Sequence, residues 1–269
     1  MPTIYQSFSC SLPDLGLDEA EYYAISASSE STATTDPPKI WEPDPTPYAQ
    51  KASDTLKKLA SSLRNPLPAV ERPFRMLTEG DVLRATTLYV THPINQALNA
   101  KYKNTPIYCL SENVKGGVRC DITWKYKNGN DFDTIAVLEL KRRGVLWRDE
   151  FKCAESDAAN RETKIQEAYA RMDDDDNDDG GYAVATTFRG NAVQLSKQAA
   201  AYAIRQKTQF VGLFDWDSMF LFQFGELDLG QRAIGDSAHG TWVEDESPTF
   251  FRKTLLGFLL AACEAKIGP

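Results

Sequence analysis

Gly117-Val-Arg-Cys-Asp121-Ile-Thr-Trp-Lys-Tyr-Lys127-Asn-Gly-Asn-Asp131-Phe-Asp133-Thr-Ile-Ala-Val-Leu-Glu139-Leu-Lys141 is the stretch on which the fold turns. It reads as two apolar-rich strands, about 117–127 and 133–140, joined by residues that tolerate positive φ. The second strand is nearly all apolar until Glu139 and Lys141 interrupt it, a composition typical of burial on both faces. A carboxylate and an ammonium buried there are costly unless they pair, bind a metal or both. Glu139 and Lys141 share a face because side chains alternate along a strand. Asp121 joins that face if the hairpin loop has three residues (129–131) or five (128–132); a two-residue turn puts it out of phase. Together the three would be two hard oxygen ligands and one cation. Such a set can hold Mg²⁺ or Mn²⁺ and stabilise a phosphoryl-transfer transition state. The competing reading is a surface hairpin whose charges are simply solvated.

Around this hairpin the 269 residues are enough for a substantial core, with one main domain as the default. No apolar run is long enough for a membrane span, and Met1-Pro-Thr-Ile-Tyr-Gln6 lacks the pattern of a signal peptide. Five scattered cysteines without a CxxC point to reduced thiols, an intracellular setting (cytoplasmic or nuclear) and no structural zinc. The net charge of −8 speaks against nucleic acid until its distribution is considered. Residues 1–50 carry eight acids and one base, and Asp173–Asp179 carries six acids; the remainder has 24 acids against 29 bases. A basic body with acidic appendages is compatible with DNA or RNA.

In chain order, residues 1–46 are acidic and rich in Ser, Thr and Pro, and read as an extended, partly disordered arm pinned at its end by Trp41 and Tyr48. Residues 47–269 are expected to form the single domain. Helices are predicted over 47–63 and 78–98, the second capped by Thr78, with Glu79 in its first turn and a break at His92-Pro93. A short strand follows within 103–110, then the hairpin. Arg142 and Arg143 come directly after Lys141, where a phosphate backbone would run. A polar helix over 155–171 leads into the acidic loop 173–181. The next helix, 191–206, has Gln198 and Tyr202 on one face. Strands over 210–214 and 219–224 flank Asp215 and Asp217, read as turn residues. Residues 226–247 read as loop, and 250–266 as a closing helix.

The order is a helix with Glu79, a strand, the Asp121 strand, the Glu139-x-Lys141 strand, a helix with Gln198-x-x-x-Tyr202 and a strand pair. It resembles the PD-(D/E)XK nuclease-like superfamily over about residues 75–225, in particular the RecB-like branch with its QxxxY motif and the stand-alone fungal members. Cys120 stands where the motif has proline. The resemblance implies an α/β fold with a restriction-endonuclease-like core, a mixed central sheet flanked by helices. It implies metal-dependent hydrolysis of nucleic-acid phosphodiesters, DNA ahead of RNA. In that reading Asp121 and Glu139 bind Mg²⁺ or Mn²⁺, with Glu79 as an auxiliary acid. Lys141 orients the attacking water or stabilises the charged phosphate, while Gln198, Tyr202, Arg142 and Arg143 contact substrate or support the site. The alternative on the same fold is a catalytically inactive module that binds nucleic acid or a protein partner. A third reading is an interaction protein with a siteless hairpin. Oligomeric state is not fixed by any of these features.

Overall fold

The structure, a computed structural model, describes residues 2–25, 35–70, 74–115, 118–175, 184–225, 227–228 and 233–268. The quoted stretch forms β3 (Val118–Asn128) and β4 (Asp131–Leu140), and β2 (Ile107–Lys115) pairs antiparallel with β3. β5 (Phe210–Phe214) lies parallel to β4 and antiparallel to β6 (Met219–Gln223). β9 (Ser237–Val243) pairs antiparallel with β6, and β1 (Ile40–Pro43) completes the sheet parallel to β9. The result is a seven-stranded mixed sheet in the order β1-β9-β6-β5-β4-β3-β2, with a separate two-stranded ribbon of β7 (Leu227–Asp228) and β8 (Ala233–Ile234). It is an α/β architecture, and helices flank the sheet. One face carries α2 (Tyr48–Leu59), α3 (Glu79–Thr86), α4 (His92–Lys101) and α8 (Phe251–Ile267). The other carries α5 (Arg148–Lys152) and α7 (Asn191–Gln206). The remaining helices are α1 (Ile4–Ser7) and α6 (Arg161–Asp175).

The hairpin register departs from expectation in an instructive way. Its turn has only two residues, Gly129 and Asn130, because Asn128 opposes Asp131. A regular ladder from that turn would leave Asp121 out of phase with Glu139. The pairing shifts by one, however: Lys125 opposes Thr134 while Trp124 opposes Ala136, leaving Ile135 as an extra residue in β4. Ile135 and Ala136 both enter the same core, as the two residues of a bulge do. The shifted register runs on to Ile122 opposite Leu138, and its continuation sets Asp121 opposite Glu139.

Other expectations change. The segment read as a partly disordered arm is docked where described: Ile4, Phe8 and Leu15 are buried in the core and β1 belongs to the sheet, so position 46 is no boundary. Residues 26–34 of that arm lie outside the described residues. Residues 226–247 are not simply loop, since β9 is an interior strand. It was hard to read because its sheet pairing relies on small residues; a Cβ on Gly240 would come within 2.6 Å of both Trp41 and Phe220. The helix expected over 78–98 is α3 and α4 joined by a π-turn at Thr87–Thr91. Pro93 removes one amide donor and crowds the carbonyl four residues back, and the widened turn absorbs this. Thr78 caps α3 as predicted, in a reciprocal box with Asp81. The helix expected over 155–171 starts at Arg161 and runs to Asp175, into the stretch read as an acidic loop; residues 176–181 of that loop are outside the described residues.

Candidate active site

The site lies at the carboxyl end of β4, where the ladder to β3 lapses. The Asp121 side chain takes over there, its Oδ2 accepting from the Leu140 N–H at 2.8 Å. On its other side β4 stays paired, the Lys141 N–H donating to the Phe214 carbonyl at 2.8 Å. The end of β4 is thus held by a side chain of β3 on one side and by the backbone of β5 on the other.

Glu139 and Lys141 are 5% and 7% exposed, which excludes the solvated-hairpin reading for these two residues. Lys141 Nζ donates to Glu139 Oε1 at 2.8 Å and lies 3.6 Å from Glu79 Oε1. Glu139 Oε2 is buried without a hydrogen-bond partner. The Tyr202 hydroxyl faces Glu139; burial first, and then that carboxylate, raise the phenol pKa well above its ordinary value. Burial, followed by repulsion from Glu139, pushes the Asp121 carboxyl up to about 7, against the opposing pull of the Leu140 N–H and Lys141. For Lys141, burial alone would lower the pKa, but Glu139, Glu79 and Asp121 outweigh it and the pKa is raised. The raised pKa keeps Lys141 an ammonium at neutral pH.

The structure thus gathers Asp121, Glu139, Lys141, Glu79 and Tyr202. Glu79 is half exposed and joins through Lys141. Among the described residues, no group of three or more His, Cys, Asp and Glu side chains converges as a metal cage. The donor set is the pair Asp121 and Glu139, whose unpartnered oxygen and mutual repulsion a cation would relieve. Two carboxylates suit a hard cation that keeps much of its water. Gln198 lies one turn before Tyr202 with its Oε1 buried and unpartnered. Its spacing extends to Gln206, missed from the sequence, which donates to Cys120 Sγ at 3.5 Å and accepts from Thr134 Oγ1 at 3.3 Å behind the site. The series 198, 202, 206 was the available signal.

The two arginines expected at the substrate are engaged by their own chain. Arg143 makes a bidentate pair with Asp217, at 2.7 and 2.9 Å, and donates to the Asp18 carbonyl at 3.0 Å. Arg142 lies over the Tyr23 ring, 4.2 Å from its centroid. Asp215 is the turn residue it was read to be: its buried carboxylate accepts from the N–H groups of Val145, Leu146, Asp217 and Ser218. Asp217 lies in the same turn and also serves as the partner of Arg143. His92 opens α4 and takes no part in the cluster described here.

No protein family, no curated protein and no solved structure matches this chain. Among the described residues, no helix is long and apolar enough to cross a membrane.

Proposed function

We propose that the protein is a divalent-metal-dependent nuclease that hydrolyses phosphodiester bonds, of DNA ahead of RNA, with a site of the PD-(D/E)XK kind. One observation carries this reading: a buried Glu139 carboxylate has one oxygen on Lys141 and the other unpartnered, with Asp121 opposite. The order of elements around it supports the resemblance to a restriction-endonuclease-like core. Asp121 and Glu139 would hold Mg²⁺ or Mn²⁺, with Glu79 acting through Lys141. Such an ion lowers the pKa of bound water and offsets developing oxyanion charge. Lys141, kept protonated, places positive charge where a transferring phosphate gains negative charge. Tyr202 packs against Glu139 and restricts its carboxylate.

The test is cleavage of plasmid, linear and single-stranded DNA and of RNA with Mg²⁺ or Mn²⁺. It compares wild type with Lys141→Ala and with Asp121→Asn. Metal-dependent cutting by wild type should be lost in both variants. Loss of Lys141 strands a buried carboxylate, so Asp121→Asn guards against a mere folding defect. Cutting that survives in both, or no cutting on any substrate, sinks the proposal. The internal engagement of Arg142 and Arg143 favours one second reading, a non-catalytic module on the same fold. That reading predicts salt-dependent nucleic-acid affinity without cleavage.

A further inference from the structure

Beside the site lies a cavity of about 680 Å³, lined by Gly16–Tyr23, Phe74–Leu77, Arg142 and Arg143. One wall is a segment without regular secondary structure that carries Asp14, Asp18, Glu19 and Glu21, all exposed. The facing wall holds the two arginines that follow Lys141.

The segment is stapled at both ends. Upstream, the buried Arg252 guanidinium donates to the carbonyls of Ser7, Cys10 and Ser11, each at 2.8 Å. Ser11 Oγ also donates to the Asp245 carbonyl at 2.8 Å. Downstream, the Tyr23 N–H donates to the Gly144 carbonyl at 2.7 Å, and Asn191 bonds both the Tyr23 carbonyl and the Ile25 N–H. Gly144 is required for this docking. It sits at φ +79°, and a Cβ there would lie 1.8 Å from the Glu21 carbonyl oxygen. Between the staples the chain meets the arginines through the Asp18 carbonyl and the Tyr23 ring.

We propose that residues Asp14–Tyr23 are a tethered acidic competitor that occupies the arginine wall in place of a polyanionic ligand. This rests on the reading of the site as one that meets nucleic acid, and it assigns the acidic segment a regulatory role on that site. A bound polyanion must displace the Asp18 carbonyl and the Tyr23 ring from Arg143 and Arg142 and approach the exposed carboxylates of Asp18, Glu19 and Glu21, so neutralising those carboxylates lowers the barrier to its binding.

The experiment uses the full chain in EDTA, so that no strand is cut. Asp18→Asn/Glu19→Gln/Glu21→Gln is compared with wild type and with Asp54→Asn/Glu162→Gln/Glu246→Gln, which removes the same charge from exposed positions elsewhere. Probes are inorganic polyphosphate and a labelled single-stranded oligonucleotide. The segment variant should bind polyphosphate about tenfold more tightly than the charge control at low salt, with the gap closing as salt rises. Tyr23→Ala, which uncovers Arg142 without a change of charge, should shift affinity in the same direction. Equal affinity in the segment variant and the charge control, or no polyphosphate binding by any variant, overturns the proposal. If polyphosphate responds as expected and the oligonucleotide does not, the competitor stands and the nucleic-acid reading falls.

Discussion

Asp121 is held in a state that costs stability without a cation. Its carboxyl has been pushed from 3.8 up to about 7, so the folded chain binds a proton there that the unfolded chain has released. The sign follows: stability from this group is greatest at acid pH and is lost as pH rises from about 4 through 7. Asp215, also at about 7 because of burial, contributes with the same sign. The metal-free protein should therefore melt at a lower temperature at pH 8 than at pH 5. Asp121→Asn should flatten that slope and raise the melting temperature at pH 8. In wild type, Mg²⁺ or Mn²⁺ should raise it as well, by binding only the folded state; in Asp121→Asn that gain should vanish. A variant that tracks wild type across the whole range, in melting scans with EDTA, would refute the strained pair. The shared face of Glu139 and Lys141 was legible because an acid and a lysine interrupt an apolar strand, whereas the face of Asp121 hung on a loop length that the structure does not have. The mutual geometry of the three was not legible, since a unit in the ladder that no residue type announces decides it.

That unit is the bulge at Ile135. A two-residue turn and an in-phase site are compatible only because β4 holds one residue more than β3 over the same span. Deleting Ile135 should therefore heal the ladder and leave Asp121 opposite Glu139. The deletion should cost about 2–5 kcal/mol for the lost buried side chain, yet keep the metal-induced rise in melting temperature. Loss of that rise in a folded deletion variant would show that the bulge, and not the pairing, builds the site. Regular elements with a strong period were legible: helix 191–206 and strand 210–214 fall where spacing and apolar runs put them. β9 was not, because Ser237-Ala-His-Gly-Thr-Trp-Val243 buries small residues against rings from other strands. Only those rings, far away in sequence, make glycine a strand residue there.

At the scale of the molecule, composition misled most about residues 1–46. Acids and Ser, Thr and Pro dominate the average, but a few apolar side chains, Ile4, Phe8, Leu15 and Ile40, decide the outcome by burial. Arg252 completes it, 2% exposed and bonded to four carbonyls, of Ser7, Cys10, Ser11 and Tyr89. Arg252→Met should cost about 3–5 kcal/mol, as expected when charged hydrogen bonds leave buried carbonyls without donors. Hydrogen exchange should show protection lost in residues 4–12 before it is lost in β4. Uniform loss over the whole sheet would instead make Arg252 part of the global core.

The parallel pairing of β1 with β9 has a consequence for the order of events on the ribosome. Ile40 finds its ladder partner only at Ser237, and the Ser7 carbonyl its guanidinium 245 positions downstream. While the polypeptide is being made, Ser7 and Ile40 must wait, their apolar neighbours uncovered, until Arg252 and Ser237 have emerged. Such long-range closure makes folding slow and leaves Ile4, Phe8 and Ile40 open to aggregation in the interval.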